Sequence, residues 1–100
     1  MPAVSRKGDS LSTGHLCVST TTLATPGQGT VFANKILIAR ITDPTVAHPF
    51  PPVPTCANHT STVKTGSETV FVEGLKCARV ADSADLGALT SGSNNVNAGG

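Results

Sequence analysis

Five side chains of the kinds that bind metal ions lie in two segments of the sequence. They are His15 and Cys17 in the first segment and His48, Cys56 and His59 in the second. Structural zinc sites use four thiolate or imidazole ligands in a tetrahedron. The two residues between Cys56 and His59 allow a single turn to fold around one ion. This grouping predicts a structural metal site formed by two loops.

We predict a zinc site with four ligands, namely His15, His48, Cys56 and His59. The proline-rich run 49–54 separates His48 from Cys56 and is stiff enough to span a site. Cys17 is the alternative to His15, from which it is two residues away. A single histidine is usually an ordinary surface residue, but the clustering in two segments favours a metal. Such a site contributes on the order of 10 kcal/mol to small zinc-binding peptides.

The cysteine count also favours metal binding over a disulfide framework. Three cysteines are an odd number, so disulfides alone do not account for all of them. Cys77 aligns with Ile38 and Val4 in the repeats described next, which predicts a small buried apolar side chain.

An internal repeat in the sequence predicts the hairpins and connectors that position these ligands. Residues 27–32 (GQGTVF) match residues 66–71 (GSETVF) at an offset of 39, and the same offset carries 39–43 (ARITD) onto 78–82 (ARVAD). Each unit is typical of a β-hairpin, with turns at Asn34-Lys35 and Glu73-Gly74. The connectors between hairpins are residues 10–26, 44–65 and 83–91. All three histidines lie in the first two connectors.

A third unit is split between the two ends of the chain. Residues 92–99 repeat the opening half, while residues 4–9 (VSRKGD) match 77–82 (CARVAD), and Gly100 corresponds to Gly74. We therefore predict that the amino-terminal strand completes the carboxy-terminal hairpin, giving three hairpins around a pseudo-threefold axis. An ordinary small β-sandwich with accidental similarity is the alternative. A pseudo-threefold chain suits a partner with true threefold symmetry.

An arginine and an aspartate recur together once per unit. The pairs are Arg6 with Asp9, Arg40 with Asp43, and Arg79 with Asp82. These arginines could contact a partner, but we favour structural Arg–Asp pairs.

Composition narrows the class of protein. With 13% charged residues, a net charge of +1 and no basic cluster, nucleic acid and acidic membrane surfaces are poor partners. No apolar run is long enough for a membrane span, and no signal segment opens the sequence. Only three aromatic residues, all phenylalanine, are available for a core, so the fold needs support besides apolar packing.

A zinc enzyme is the main competing class. Catalytic zinc keeps a position open for water and has a base nearby, whereas four protein ligands are available here. Glu68 and Glu73, the only glutamates, belong to a strand and a turn, and no H-E-x-x-H motif or phosphate-binding loop is present. We expect no enzymatic activity and no small-molecule substrate.

Residues 66–74 (GSETVFVEG), residues 78–82 (ARVAD) and the opening residues 1–9 (MPAVSRKGD) resemble the repeat of PAAR-domain proteins. The resemblance covers essentially residues 1–100 as one domain. It implies a small all-β cone with zinc near the apex, held by three histidines and one cysteine that fall on His15, His48, Cys56 and His59. Iron is the alternative metal.

The resemblance also implies a role and a partner. PAAR proteins cap the VgrG-type spike of type VI secretion systems or the hub spike of contractile phage tails. We therefore expect one tip per trimeric β-helical spike, transient contact with the target membrane, and location at a virion tail tip or secretion from the cytoplasm. No toxin domain follows within the 100 residues, which favours the phage-like tail. A free-standing zinc-stabilised binding module or effector adaptor is the alternative.

Overall fold

The computed structural model describes residues 1–99 and builds them from short antiparallel hairpins, each made of two consecutive strands. The strands are β1 (Ser10–Ser12), β2 (Thr20–Thr22), β3 (Phe32–Ala33), β4 (Ile36–Leu37), β5 (His48–Pro49), β6 (Asn58–His59), β7 (Phe71–Val72), β8 (Leu75–Lys76), β9 (Ser83–Ala84) and β10 (Gly87–Ala88). The predicted all-β class is confirmed. Within the described residues, no helix has the length and apolar character needed to cross a membrane.

The hairpins of the two uninterrupted repeat units have their turns at the positions predicted from the sequence. β3 pairs with β4 around Asn34-Lys35, and β7 pairs with β8 around Glu73-Gly74. All four turn residues have positive φ, between 46° and 84°. Such values match the tight hairpin turn whose twist suits the flanking strands. Asn and Gly adopt this conformation readily, whereas Lys35 and Glu73 adopt it at a steric cost.

The two ends of the chain form the third hairpin, as predicted. Ala3 pairs with Asn97 in antiparallel fashion. The Val4 N–H donates to the Val96 carbonyl, and the Ala98 N–H donates to the Pro2 carbonyl, each over 3.0 Å. The predicted equivalence of Gly100 with Gly74 lies outside the described residues. The chain is therefore closed by pairing between its first and last segments.

A closed ring of three backbone hydrogen bonds joins the three units at their centre. The Ser5 N–H donates to the Ala78 carbonyl, the Ala78 N–H to the Ala39 carbonyl, and the Ala39 N–H to the Ser5 carbonyl, each over 3.0 Å. All three residues are fully buried. Only small side chains fit where three backbones meet, which explains Ser and Ala at these positions. We call these residues the central ring.

Each unit leaves the central ring through an Arg–Asp turn. The aspartate accepts a hydrogen bond from the backbone N–H of its arginine and binds the guanidinium, with Nε–Oδ2 distances of 3.0, 3.0 and 2.9 Å in Arg6–Asp9, Arg40–Asp43 and Arg79–Asp82. The hydrogen bond to its aspartate raises the pKa of Arg40, and likewise of Arg79. The structural interpretation of these pairs is confirmed.

Apolar packing forms two clusters, one on each side of the central ring. The hairpin layer comprises residues 1–5, 27–39, 66–78 and 92–99, and its buried cluster is Val4, Ala33, Ile38, Val72, Cys77 and Ala98. The connector layer comprises residues 10–26, 44–65 and 83–91. Its residues Leu11, Leu23, Val63, Ala84 and Leu89 cluster with Ala39 and Ala78 of the central ring.

The connector layer repeats the threefold arrangement of the ring. Each connector forms its own hairpin, namely β1–β2, β5–β6 and β9–β10. Neighbouring connectors are joined by antiparallel bridges between Leu11 and Leu89, Leu23 and Thr45, and Val63 and Ala84. These bridges bring the tips of all three connectors to one end of a molecule whose principal extents are 40 × 24 × 21 Å.

The backbone conformation of Gly8, in the first Arg–Asp turn, predicts how a substitution there changes stability. Gly8 has φ of +85°, and a Cβ added there would meet no atom within 4 Å. Gly8→Ala therefore changes only the backbone energy and should lower the free energy of unfolding by about 1 kcal/mol. Urea denaturation measures this difference. The control is Gly29→Ala, which has the same open space without a left-handed φ and should be neutral or slightly stabilising. Equal effects of the two substitutions would contradict the backbone explanation.

Candidate metal centre

The three histidines of the chain and one aspartate converge at the tips of the connectors. His15 comes from the first connector, His48 and His59 from the second, and Asp85 from the third. One possible ligand atom of each residue lies within 4.8 Å of all the others. His48 and Asp85 are buried, and His15 and His59 are partly exposed. The four groups form a compact cluster in which only the His59 side chain is appreciably exposed, at 26%.

The distances between the inward-facing atoms suit a tetrahedral ion. Asp85 Oδ2 lies 2.8 Å from Nε2 of His15, 2.8 Å from Nε2 of His48 and 3.6 Å from Nε2 of His59. His48 Nε2 lies 3.3 Å from that of His15 and 2.8 Å from that of His59. Zinc bonds of about 2.0–2.1 Å give tetrahedral edges of roughly 3.3 Å. A small expansion of the cluster would accommodate the ion.

The second connector places two of the histidines side by side. His48 in β5 is paired directly with His59 in β6, so both side chains leave the same face of the hairpin. Their ring centroids are 4.4 Å apart. The intervening loop is closed by a hydrogen bond from the Phe50 N–H to the Ala57 carbonyl. The Phe50 ring covers one side of the cluster, with its centroid 4.1 Å from that of His59 and 4.7 Å from that of His15.

Close packing between the first and third connectors positions Asp85. A Cβ at Gly14 would lie 2.0 Å from the Leu86 carbonyl oxygen, and a Cβ at Gly87 would lie 2.1 Å from the Ser12 carbonyl oxygen. Glycine at both positions lets the two backbones approach on either side of Asp85. Asp85 itself occupies the turn of β9–β10 with φ of 54°. The third connector is thus held against His15 by backbone contacts.

Hydrogen bonds outside the cluster orient two of the imidazoles. Nδ1 of His15 lies 2.8 Å from the Leu16 carbonyl oxygen, and Nδ1 of His48 lies 2.8 Å from the Val46 carbonyl oxygen. Because a carbonyl only accepts, Nδ1 carries the proton and donates it. In a neutral ring this leaves the lone pair of Nε2 directed into the cluster, as in metal-binding histidines.

The charge of Asp85 completes the electrostatics of the cluster. Burial acts to raise the pKa of Asp85, but hydrogen bonds with His48 and His15 outweigh burial, so the pKa is lowered from its ordinary value. Those hydrogen bonds need a proton on Nε2; without that proton, the ionised carboxylate and the nitrogen lone pairs repel one another unless a metal cation lies between them. Three imidazoles and one carboxylate are all accepted zinc ligands. The residues present therefore fit a divalent metal ion.

The structure brings the three predicted histidine ligands together but leaves the predicted cysteine ligand out of the cluster. His15, His48 and His59 come together as predicted. Cys56 does not join them, because its Sγ is bonded to Sγ of Cys17 in a disulfide. A disulfide sulfur lacks the thiolate that binds zinc, so neither Cys56 nor the alternative ligand Cys17 offers one in this state. The carboxylate of Asp85 stands where the fourth ligand was expected.

The sequence analysis did not predict Asp85 as a member of this centre or the Cys17–Cys56 disulfide, although the sequence contains a signal for each. Asp85 is the only ionisable residue of connector 83–91. Cys17 and Cys56 each lie ten residues before the glycine that opens the following repeat, at Gly27 and Gly66. Equivalent positions of neighbouring units face each other around a pseudo-threefold axis, so this spacing favours a Cys17–Cys56 pair.

Comparison with protein families agrees with this architecture. A family model described as the PAAR motif matches residues 7–90. The chain belongs to the PAAR motif family. A search of curated proteins found no match. The PAAR family is a structural family of spike-tip proteins linked to phage tails and type VI secretion, and it associates with spike or VgrG-type partners. The closed β-hairpin fold and the His/Asp cluster of this PAAR chain are consistent with that role and with a structural metal.

The geometry of this PAAR chain predicts that Asp85 contributes to metal affinity. Asp85→Asn keeps the shape of the side chain but removes its negative charge. Mutation of residues that only hydrogen-bond to a metal ligand already changes metal affinity by about 10–100-fold. Loss of charge from a ligand itself should therefore weaken zinc binding at least about tenfold. Competition with a chromophoric chelator measures the affinity. Glu68→Gln is the control, since Glu68 is an exposed carboxylate paired with Lys76. Unchanged affinity in Asp85→Asn would exclude Asp85 from the centre.

Cys77 is predicted to be chemically inert in the folded protein. Burial raises the pKa of the Cys77 thiol to about 11, and the residue is fully buried in the hairpin layer. The thiolate is the reactive form, so iodoacetamide at pH 8 should label Cys77 only after denaturation. Mass spectrometry of native and denatured samples counts the labels. Rapid labelling of Cys77 in the native protein would contradict its burial.

Proposed function

We propose that the chain is a non-enzymatic tip that caps the blunt end of a trimeric β-helical spike, one copy per trimer, in a contractile injection apparatus. The central ring is the observation that carries the proposal. It shows one polypeptide whose backbone repeats three times around a closed axis, with equivalent hydrogen bonds among Ser5, Ala39 and Ala78. A single copy of this shape presents three similar hairpins to three identical subunits.

The hairpin layer offers the surface that would meet the spike. Phe32 and Phe71 occupy equivalent positions of two hairpins, and their exposed fractions are 52% and 55%. Two exposed phenylalanines on one small surface are suited to burial in an interface. Asn97 holds the corresponding place in the third hairpin. Two spike subunits would therefore receive an aromatic side chain and the third a polar one.

The metal would stabilise the opposite end of the molecule. We propose zinc, with iron as the alternative, bound by His15, His48 and His59 with Asp85 as the fourth ligand. In this arrangement each connector supplies at least one ligand, so the ion joins all three tips. Cys56, the fourth ligand expected from the sequence, would be available only after reduction of its disulfide. Zinc with four protein ligands has no position open for substrate, which supports a structural role.

The proposed mechanism is mechanical. A contracting sheath would drive the spike and its tip against a target envelope, in a phage-like tail or a type VI system. The tip must stay folded during that step. Ring closure in the backbone and metal ligation at the connectors both oppose local opening of the structure.

Native mass spectrometry of the chain mixed with a trimeric spike from a contractile apparatus tests the proposal. We expect one tip per trimer. Phe71→Ser should weaken binding by about tenfold or more, since truncation of a buried aromatic anchor costs about 2 kcal/mol. Val53→Ser is the control, because Val53 is similarly exposed, at 60%, but lies in the connector layer. Three tips per trimer, or equal loss in both variants, would refute docking through the hairpin layer.

A further inference from the structure

The Cys17–Cys56 disulfide spans the same gap as the metal centre. Cys17 follows His15 by two residues, and Cys56 precedes His59 by three. The Cα atoms of the two cysteines are 5.8 Å apart, and the ring centroids of His15 and His59 are 5.2 Å apart. The covalent bond and the cluster therefore hold the same two connector tips together.

Little else in the backbone holds these two tips against each other. Within residues 1–99, no backbone hydrogen bond joins residues 14–19 to residues 50–59. The nearest backbone bonds between the two connectors run from the Val46 N–H to the Thr22 carbonyl and from the Ala24 N–H to the Pro44 carbonyl. Both lie nearer the central ring than the tips do. The placement of His15 against His59 thus depends on side chains and on the disulfide.

We propose that the Cys17–Cys56 disulfide is a redox-controlled clamp that sets the metal affinity of the His15–His48–His59–Asp85 cluster. The proposal rests on the proposed metal site and is independent of docking to a spike. With the disulfide formed, the ligands of two connectors are already close, and binding a metal requires less ordering of the chain. After reduction, the first connector tip gains freedom, and the same ligands bind more weakly.

The coupling acts in both directions. If the disulfide strengthens metal binding by some factor, bound metal must favour the disulfide over the dithiol by the same factor. Reduction by a phosphine converts the disulfide to two thiols. The disulfide gains two electrons from the phosphine and two protons from water, and the phosphine takes the oxygen atom of that water to become a phosphine oxide. Disulfides persist in oxidising compartments and are rare in the cytosol. The clamp would therefore close once the protein leaves a reducing cell.

Two single substitutions distinguish this clamp from direct cysteine ligation. Cys17→Ser and Cys56→Ser both abolish the disulfide, but only Cys17→Ser leaves the thiol of Cys56 free. A clamp predicts that both variants bind zinc about tenfold more weakly than the oxidised protein, within the usual range of coupling between sites. A metal–thiolate bond at Cys56 predicts the opposite for Cys17→Ser, namely binding as tight as in the oxidised protein or tighter.

Chelator competition gives the zinc affinities, and cobalt substitution identifies the ligands. Thiolate ligation would add an intense near-ultraviolet charge-transfer band to the cobalt spectrum of Cys17→Ser, and this band would overturn the proposal. Unchanged zinc affinity in both variants would overturn it as well. Phosphine reduction of the unsubstituted protein should reproduce the weakening without any mutation. Cys77→Ala is the control and should leave the affinity unchanged, because Cys77 lies in the hairpin layer. Spike binding is measured separately, so its failure leaves this result interpretable.

Discussion

The closed ring of hydrogen bonds among Ser5, Ala39 and Ala78 is the constraint on which the rest of the structure depends. Each residue donates to one neighbouring unit and accepts from the other, so removal of any unit leaves two partners unsatisfied in a buried place. Unpaired buried backbone groups cost about as much as a lost hydrogen bond. The ring therefore makes the three units interdependent, although each contains only a few residues of regular strand. It also requires the first residues of the chain to return to the last.

The ring and the His/Asp cluster lie in opposite parts of the chain. The hairpin layer and the turns next to the ring are held by backbone pairing and Arg–Asp pairs, which need no ion. The connector tips lie farther from the central ring, contain the glycines Gly14 and Gly87 at close backbone contacts, and carry the histidines. Long loops gain most from a crosslink because the crosslink restricts the unfolded chain. The disulfide and the proposed metal are thus placed where the backbone alone provides the least order.

Pseudo-symmetry in this chain is close in the backbone of the central ring and the Arg–Asp turns and relaxed in the side chains. Equivalent Arg–Asp turns contain Gly8, Thr42 and Ala81 with φ of 85°, 71° and 78°, although only glycine adopts this conformation freely. The fold tolerates the strain at Thr42 and Ala81 because the hydrogen bonds around each turn determine its shape. The same relaxation lets one hairpin present Asn97 where the others present phenylalanine, and lets one connector present Asp85 in place of histidine.

The sequence alone determined the class of fold, the three units, the turns at Asn34-Lys35 and Glu73-Gly74, the joining of the chain ends and the Arg–Asp pairs. These features depend on short-range patterns, namely repeat offset, turn chemistry and an i to i+3 spacing, which are readable along the chain. The sequence also indicated the three histidines, because they are confined to two connectors.

The tertiary structure decided which groups stand beside those histidines. Cys56 was the expected fourth ligand, yet the distance between connector tips brings it to Cys17 and brings Asp85, from the third connector, into the cluster. That outcome depends on how closely three loops approach, which is set by Gly14 and Gly87 and by the bridges of the connector layer. Contacts between residues 70 positions apart, such as His15 and Asp85, follow from the packing of whole units, so a residue's place in its connector is only an indirect signal for them.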